Sequence, residues 1–181
     1  MSISKLTMSL EDSKNIQFPP VHLWNPDLCE GQEIKINRDG AWFYNDSLIK
    51  NQKLVNLFAS VLRKDGDNYF LVTPTEKVPV KVEIAPYVIE DFKIIEDTIE
   101  LKTNLNYSFL LTEKDLVRLK EIEKTFLPLI TVRNSIEGFF NRNTYYRIID
   151  FALENNYVKN NTLYIKSNSN LYPVGKVAQE T

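Results

Sequence analysis

The sequence predicts an α+β fold of two similar subdomains, each a hairpin–helix–hairpin unit (a ββαββ-like motif), with a short N-terminal helix in front. Two observations carry this expectation. The stretch Ile34 to Val80 alternates apolar and polar residues, then shows a helical apolar stripe, then alternates again. A second stretch, Ile130 to Val174, repeats its spacing. Ile36 stands nine residues before Asn45, as Val132 does before Asn141; Phe70 stands nine before Pro79, as Tyr164 does before Pro173. The aromatic pairs Phe43–Tyr44 and Phe139–Phe140 fall at matching offsets, and Leu54 to Leu62 bounds one apolar stripe as Tyr145 to Leu153 bounds the other. A unit of this size cannot bury its own apolar face, whereas two copies can. The expected subdomains are residues 1–84 and 85–181.

Each element has a local reason. Ile3, Leu6 and Leu10 have helical spacing over residues 1–15. Residues 18–30, FPPVHLWNPDLCE, cannot be regular, because Pro19, Pro20 and Pro26 lack N–H donors and extend their predecessors. Ile34–Ile36 and Ala41–Tyr44 form a hairpin around Asp39–Gly40. Asn51 caps a helix running through Arg63, with Leu54, Leu57, Phe58, Val61 and Leu62 on its buried face, and Asp65–Gly66–Asp67 ends it. Strands follow at Tyr69–Thr73 and Lys77–Ile84. Tyr87–Ile95 and Thr98–Thr103 pair around Glu96–Asp97, and Tyr107–Leu111 adds a short strand. Leu116–Phe126 fits a helix capped at Thr112, or a strand through Val117 and Leu119; Pro128 closes this region either way. Leu129–Val132 pairs with Glu137–Phe140 around Asn134–Ser135. Asn141 or Asn143 then caps a helix carrying Tyr145, Ile148, Ile149, Ala152 and Leu153. Thr162–Lys166 and Leu171–Val174 make the last hairpin.

Composition excludes several classes of function. Of 181 residues 43% are hydrophobic and 25% charged, as in a globular protein with an ample core. A net charge of -2 argues against a nucleic-acid partner. No apolar run reaches the ~20 residues of a membrane span, so no membrane association is expected. A single cysteine, Cys29, excludes an internal disulfide and fits a reducing, cytoplasmic location. Five glycines leave no supply for a Gly-rich phosphate loop. One His and one Cys, without His-x-x-x-His, Cys-x-x-Cys or calcium-loop spacing, give no metal site, and no cofactor is expected. The abundant Asn, Lys and Ile read as base composition of the source genome rather than chemistry.

The blocks PPVHLWNP (19–26), RDGAWFYND (38–46), LVNLFASVLRKDGDNYFLVTPTEKV (54–78) and ITVRNSIEGFFNR (130–142) together resemble the bacterial family called domain of unknown function 1285. The resemblance spans nearly the whole chain after residue 18. It implies a soluble protein of two similar domains, each mixing strands with one helix, and a role in signal transduction or ligand binding. It implies a strand rather than a helix at Leu116–Ile122. Members commonly carry Gly-Gly where this chain has Asn134–Ser135, and this chain is longer between Asn104 and Pro128.

The residues support three functional readings. In the first, a non-enzymatic module binds a small molecule where the proline-rich loop meets the first hairpin. Trp24, Trp42, Phe43 and Tyr44 offer apolar lining, and His22 and Asn25 offer polar handles, the usual makeup of a ligand site. Arg38, with Arg133 near the equivalent position of the repeat, holds an anionic group between the subdomains. In the second, a hydrolase uses His22 as base, with Cys29 seven residues away. In the third, exposed hairpin edges pair with a protein partner or with a second copy of the chain. The bland alternatives are aromatic core, surface ion pairs around the arginines, and a solvated turn at Thr73, Glu76 and Lys77.

Overall fold

A computed structural model describes residues 18–29 and 31–177. The expected N-terminal helix over residues 1–15 lies outside them. The chain forms two compact units, divided between Pro86 and Tyr87.

In the first unit a 3-10 turn, Val21–Leu23, precedes β1 (Ile34–Ile36), β2 (Trp42–Tyr44) and β3 (Ser47–Leu48). Helix α1 (Gln52–Ser60) follows, then β4 (Leu62–Asp65), β5 (Asn68–Val72) and β6 (Lys77–Val82). The six strands form one sheet in the order β3-β2-β1-β6-β5-β4, antiparallel except for the central parallel pair β1–β6. Strand residues alternate faces. Ile34, Ile36, Trp42, Leu62, Leu71, Val78 and Val80 are buried together with Val55, Phe58 and Ala59 of α1. Arg63, Phe70 and Pro79 are cross-strand neighbours one row over, on the opposite face. Helix α1 begins at the expected cap, where Asn51 Oδ1 accepts from the N–H groups of Lys53 and Leu54. It ends at Ser60, not Arg63, and buries Val55, Phe58 and Ala59, whereas Leu54 and Leu57 are only half-buried. Leu62 to Asp65 are drawn instead into an edge strand opposite Asn68 to Leu71, so Gly66–Asp67 turns a hairpin.

The second unit holds β7 (Tyr87–Ile95), β8 (Thr98–Thr103), β9 (Ser108–Leu110), β10 (Val117–Ile122), β11 (Thr125–Arg133) and β12 (Ile136–Phe140) in one sheet, ordered β10-β11-β12-β7-β8-β9. Helix α2 (Arg142–Glu154), capped by Asn141, leads to a separate sheet of β13 (Val158–Lys159), β14 (Thr162–Ser167) and β15 (Asn170–Lys176). Every residue of β12 is buried, as expected for a central strand covered on both faces. Residues 117–122 are strand, and Pro128 lies inside β11 opposite Leu119 rather than closing the region.

The expected hairpin–helix–hairpin repeat is overturned. Of the described residues 48% are strand and 16% helix, and the molecule is mostly β. The matched spacings do mark real hairpins, since Phe70 faces Pro79 and Tyr164 faces Pro173. The hairpins belong to different assemblies, however. In the first unit the strands on both sides of the helix share one sheet; in the second, those after the helix leave to build a sheet of their own. What the units share is a six-stranded sheet of two three-stranded meanders, with its first and last strands parallel at the centre. The helix lies between the meanders in one unit and after both in the other.

Asparagine has a structural use here that composition concealed. Asn45–Asp46, Asn134–Ser135, Asn160–Asn161 and Asn168–Ser169 each have two consecutive positive φ angles, as tight hairpin turns of the right hand require. Asparagine tolerates that conformation better than most side chains and here takes the place of glycine.

Candidate functional site

The outer face of the first sheet, opposite α1, carries the densest polar chemistry. Arg63, half-buried on β4, places Nη1 2.8 Å from the carbonyl of Val21 and 2.6 Å from that of Trp24. Its Nε and Nη2 donate to the two oxygens of Asp65, at 2.8 and 2.9 Å. Lys77 Nζ also reaches Asp65, at 2.8 Å, and lies 4.1 Å from the centre of the Phe70 ring. One guanidinium therefore fastens the proline-rich segment to the sheet. The bidentate bond from Arg63 holds the Asp65 carboxyl below its ordinary range, with Lys77 adding to the effect against an opposing push from burial.

That shift has a sign. A carboxyl with a lowered folded pKa contributes stability above its unfolded value, and the contribution is lost as pH falls through the folded value. Asp65→Asn is therefore expected to lower the first unit's urea midpoint near neutral pH, and to change it little at pH values well below the ordinary carboxylate range. Both tryptophans, Trp24 and Trp42, lie in the first unit, so their fluorescence reads that unit alone. A deficit that persists undiminished in acid would refute the ion-pair account.

The same face is hollowed beside Pro79 of β6. Cys29 N–H donates to the Lys77 carbonyl at 2.8 Å, and Leu28 bridges Lys77 in parallel. Regular pairing resumes only at Ile34, opposite Val80. Residues 31–33 lie outside the sheet, with Gly31 at φ +89°. Pro79 has no N–H to leave unpaired there, which makes the break inexpensive. The result is a cavity of about 480 Å³ lined by Gly31, Gln32, Glu33, Ile34, Asn45, Pro79 and Lys81. A second hollow of about 360 Å³ shares Pro79 and Lys81 and adds Asn68 and Phe70.

The lining is fixed at one end and unsatisfied at the other. Asn45 Oδ1 accepts from the Glu33 N–H at 3.1 Å, and the Asn45 N–H donates to the Glu33 carbonyl at 2.8 Å. Glu33 Oε1 pairs with Lys81 Nζ at 2.9 Å, both side chains well exposed. Gln32 Oε1 is buried and has no hydrogen-bond partner among the described residues. An acceptor of this kind loses its water without a replacement, at a cost of about 1–3 kcal/mol.

The residues expected from sequence are dispersed. His22, Trp24 and Asn25 stay together on the clamped segment, His22 and Asn25 exposed and Trp24 half-buried. Arg38 is exposed after β1, its N–H donating to Glu83 Oε2 at 3.0 Å. β1 is separated from β4, over which Trp24 is tied, by β6 and β5, roughly 14 Å at ordinary strand spacing. Trp42 points to the other face, 2% exposed, with its ring 6.5 Å from that of Phe58. Arg133 belongs to the second unit, where it is buried and donates through Nε to the Tyr87 hydroxyl at 2.9 Å. Burial pushes the Tyr87 phenol up, so it stays neutral beside that guanidinium.

Sequence reasoning missed Arg63, Asp65, Gln32, Glu33, Asn45 and Lys81. Arg63 and Asp65 did carry a signal: charges two apart lie on one face of a strand, but the stretch reads as helix. Gln32 and Lys81 come together only through the β1–β6 pairing, which no local pattern encodes. Among the described residues no group of three or more His, Cys, Asp or Glu is placed to hold a metal ion. Among them, too, no helix is long and apolar enough to cross a membrane.

Two family models match the chain. "Domain of unknown function (DUF1285), N-terminal domain" matches residues 19–85, and "Protein of unknown function (DUF1285), C-terminal domain" matches residues 86–174. Among solved structures, a DUF1285 family protein from Silicibacter pomeroyi DSS-3 is 29% identical with a TM-score of 0.79, covering 93% of this chain and 95% of that one. A DUF1285 family protein from Shewanella baltica OS155 is also 29% identical, with a TM-score of 0.52, covering 65% of this chain and 90% of that one. No curated protein matches the chain.

Proposed function

Because the chain belongs to the DUF1285 family, we propose that it is a small-ligand-binding module rather than an enzyme, with its site in the hollow beside Pro79. The observation that carries this reading is a cavity whose volume lies in the range of small-molecule sites, lined by the polar Glu33, Asn45 and Lys81 and by Gln32, whose Oε1 lies behind the lining with no hydrogen-bond partner among the described residues. Fixed polar groups on a rigid sheet suit recognition. A hydrolase built on His22 needs a group to orient the imidazole. His22 is exposed on the 3-10 turn and makes no hydrogen bond or ion pair among the described residues.

The test is a comparison of native and denaturing masses of the purified protein, followed by thermal shift against a broad metabolite set. A ligand at 100 times its Kd stabilises its target by roughly 2.7 kcal/mol, a readily measured rise in Tm. The expected result is a bound mass or a reproducible shift that disappears in the double variant Gln32→Ala, Lys81→Ala. A shift that survives this variant moves the site elsewhere, and no bound mass with no shift refutes the reading.

A further inference from the structure

Resting on that reading, we infer that the hollow beside Pro79 takes a small zwitterion of the α-amino-acid class. Its ammonium is received by the Glu33 carboxylate, joined by Gln32 Oε1 once that side chain turns toward the hollow, and its carboxylate by Lys81 Nζ and Asn45 Nδ2.

The charge of the lining selects the class. It holds one carboxylate, Glu33, and one ammonium, Lys81. Each is the other's partner at 2.9 Å, with 46% and 72% of their side chains exposed. An ion pair so open to water is weak, so parting it costs little if both ends find new partners. A zwitterion supplies both. A simple amine leaves Lys81 without its carboxylate, and a simple acid does the same to Glu33.

The hydrogen-bonding groups fall into the same two sets. On the acceptor side Gln32 Oε1, buried behind the lining, has no donor among the described residues, and rotation of its amide toward the hollow adds a second oxygen for an N–H donor. On the donor side the Asn45 Oδ1 is committed to the Glu33 N–H, while Nδ2 makes no hydrogen bond among the described residues. The two hydrogen bonds between Asn45 and the Glu33 main chain fix the backbone from which the carboxylate projects. Position is therefore prepared before binding, which limits the entropy lost on capture. Pro79 offers a polarity-free floor with no N–H to compete for the ligand. A cavity of about 480 Å³ admits an amino acid with a side chain of any common size.

Isothermal titration of the full chain tests the inference with three matched probes: leucine, 3-methylbutylamine and 4-methylpentanoate. The other common amino acids follow by thermal shift. The expected result is at least one amino acid bound about tenfold or more tightly than its amine and acid counterparts. Gln32→Met and Lys81→Met should each weaken that binding by a similar factor, with circular-dichroism melting curves like that of the parent. If an acid, an amine or an uncharged metabolite binds better than every amino acid, and Gln32→Met removes it, the class is wrong while the site stands. If amino acids bind but neither variant weakens them, or if no probe or metabolite responds to these variants, the site itself is refuted.

Discussion

Trp42→Ala is expected to cost the first unit about 3–5 kcal/mol, the usual loss for deleting a large aromatic from a core. Trp42 is among the largest fully buried side chains and tilts against Phe58 of α1. It links β2 to the helix, and the methyl of alanine leaves a void that neither a strand nor a helix can close by local movement. The total stability of a domain is only about 5–15 kcal/mol, so the variant is expected to be close to unfolded at body temperature. Trp42→Phe is the informative control. The indole Nε1 is buried without a partner among the described residues, and phenylalanine keeps most of the ring while discarding that N–H. An unsatisfied buried donor costs about 1–3 kcal/mol, so its removal offsets much of the lost volume. The phenylalanine variant is expected within about 1 kcal/mol of the parent. Urea unfolding followed through Trp24 measures both. An alanine variant as stable as the phenylalanine variant would show that Trp42 is not central to that core.

Gly138→Ala is expected to destabilise the second unit by roughly 2–3 kcal/mol through overpacking. Gly138 stands on β12 opposite Tyr87 of β7, in the parallel pair that joins the two meanders. A Cβ there meets Tyr87 Cβ at 2.9 Å, the Tyr87 carbonyl oxygen at 3.0 Å and Val132 Cγ2 at 3.2 Å. Two of these atoms move only with the backbone of Tyr87. Relief therefore means spreading the strand pair that holds the sheet together. Amide exchange checks this directly, with faster exchange expected for residues 87–89 and 136–140. Unchanged exchange with an unchanged melting temperature would show that the sheet yields more cheaply than the distances imply.

How much of the site was legible follows from the range of its interactions. His22, Trp24 and Asn25 were singled out as rare or aromatic residues on one short segment, and the structure keeps them together for the trivial reason that they are neighbours in sequence. Trp42 was read as lining a pocket; strand alternation turned it to the helix side. Arg63 does the work of holding the proline-rich segment, yet its partners, the carbonyls of Val21 and Trp24, lie 42 and 39 residues away. Carbonyls are present at every residue, so no side-chain pattern announces them. Gln32 gave no signal at all, because being buried without a partner is a property of surroundings.

The turns and caps were set by local chemistry. Asn51 and Asn141 cap helices because a side-chain oxygen within three residues satisfies an orphan N–H. Glu96–Asp97 and Asn134–Ser135 turn hairpins because the strands on either side carry complementary patterns. The repeat in spacing was equally local, and it located true hairpins. Which sheet each hairpin joined was not local. β1 pairs with β6 across 46 residues and β7 with β12 across 51, and the hairpin of β14 and β15 forms a sheet apart. A strand offers the same ladder of N–H and C=O groups to any neighbour. The choice among neighbours falls to burial of the faces, and only the assembled core decides it.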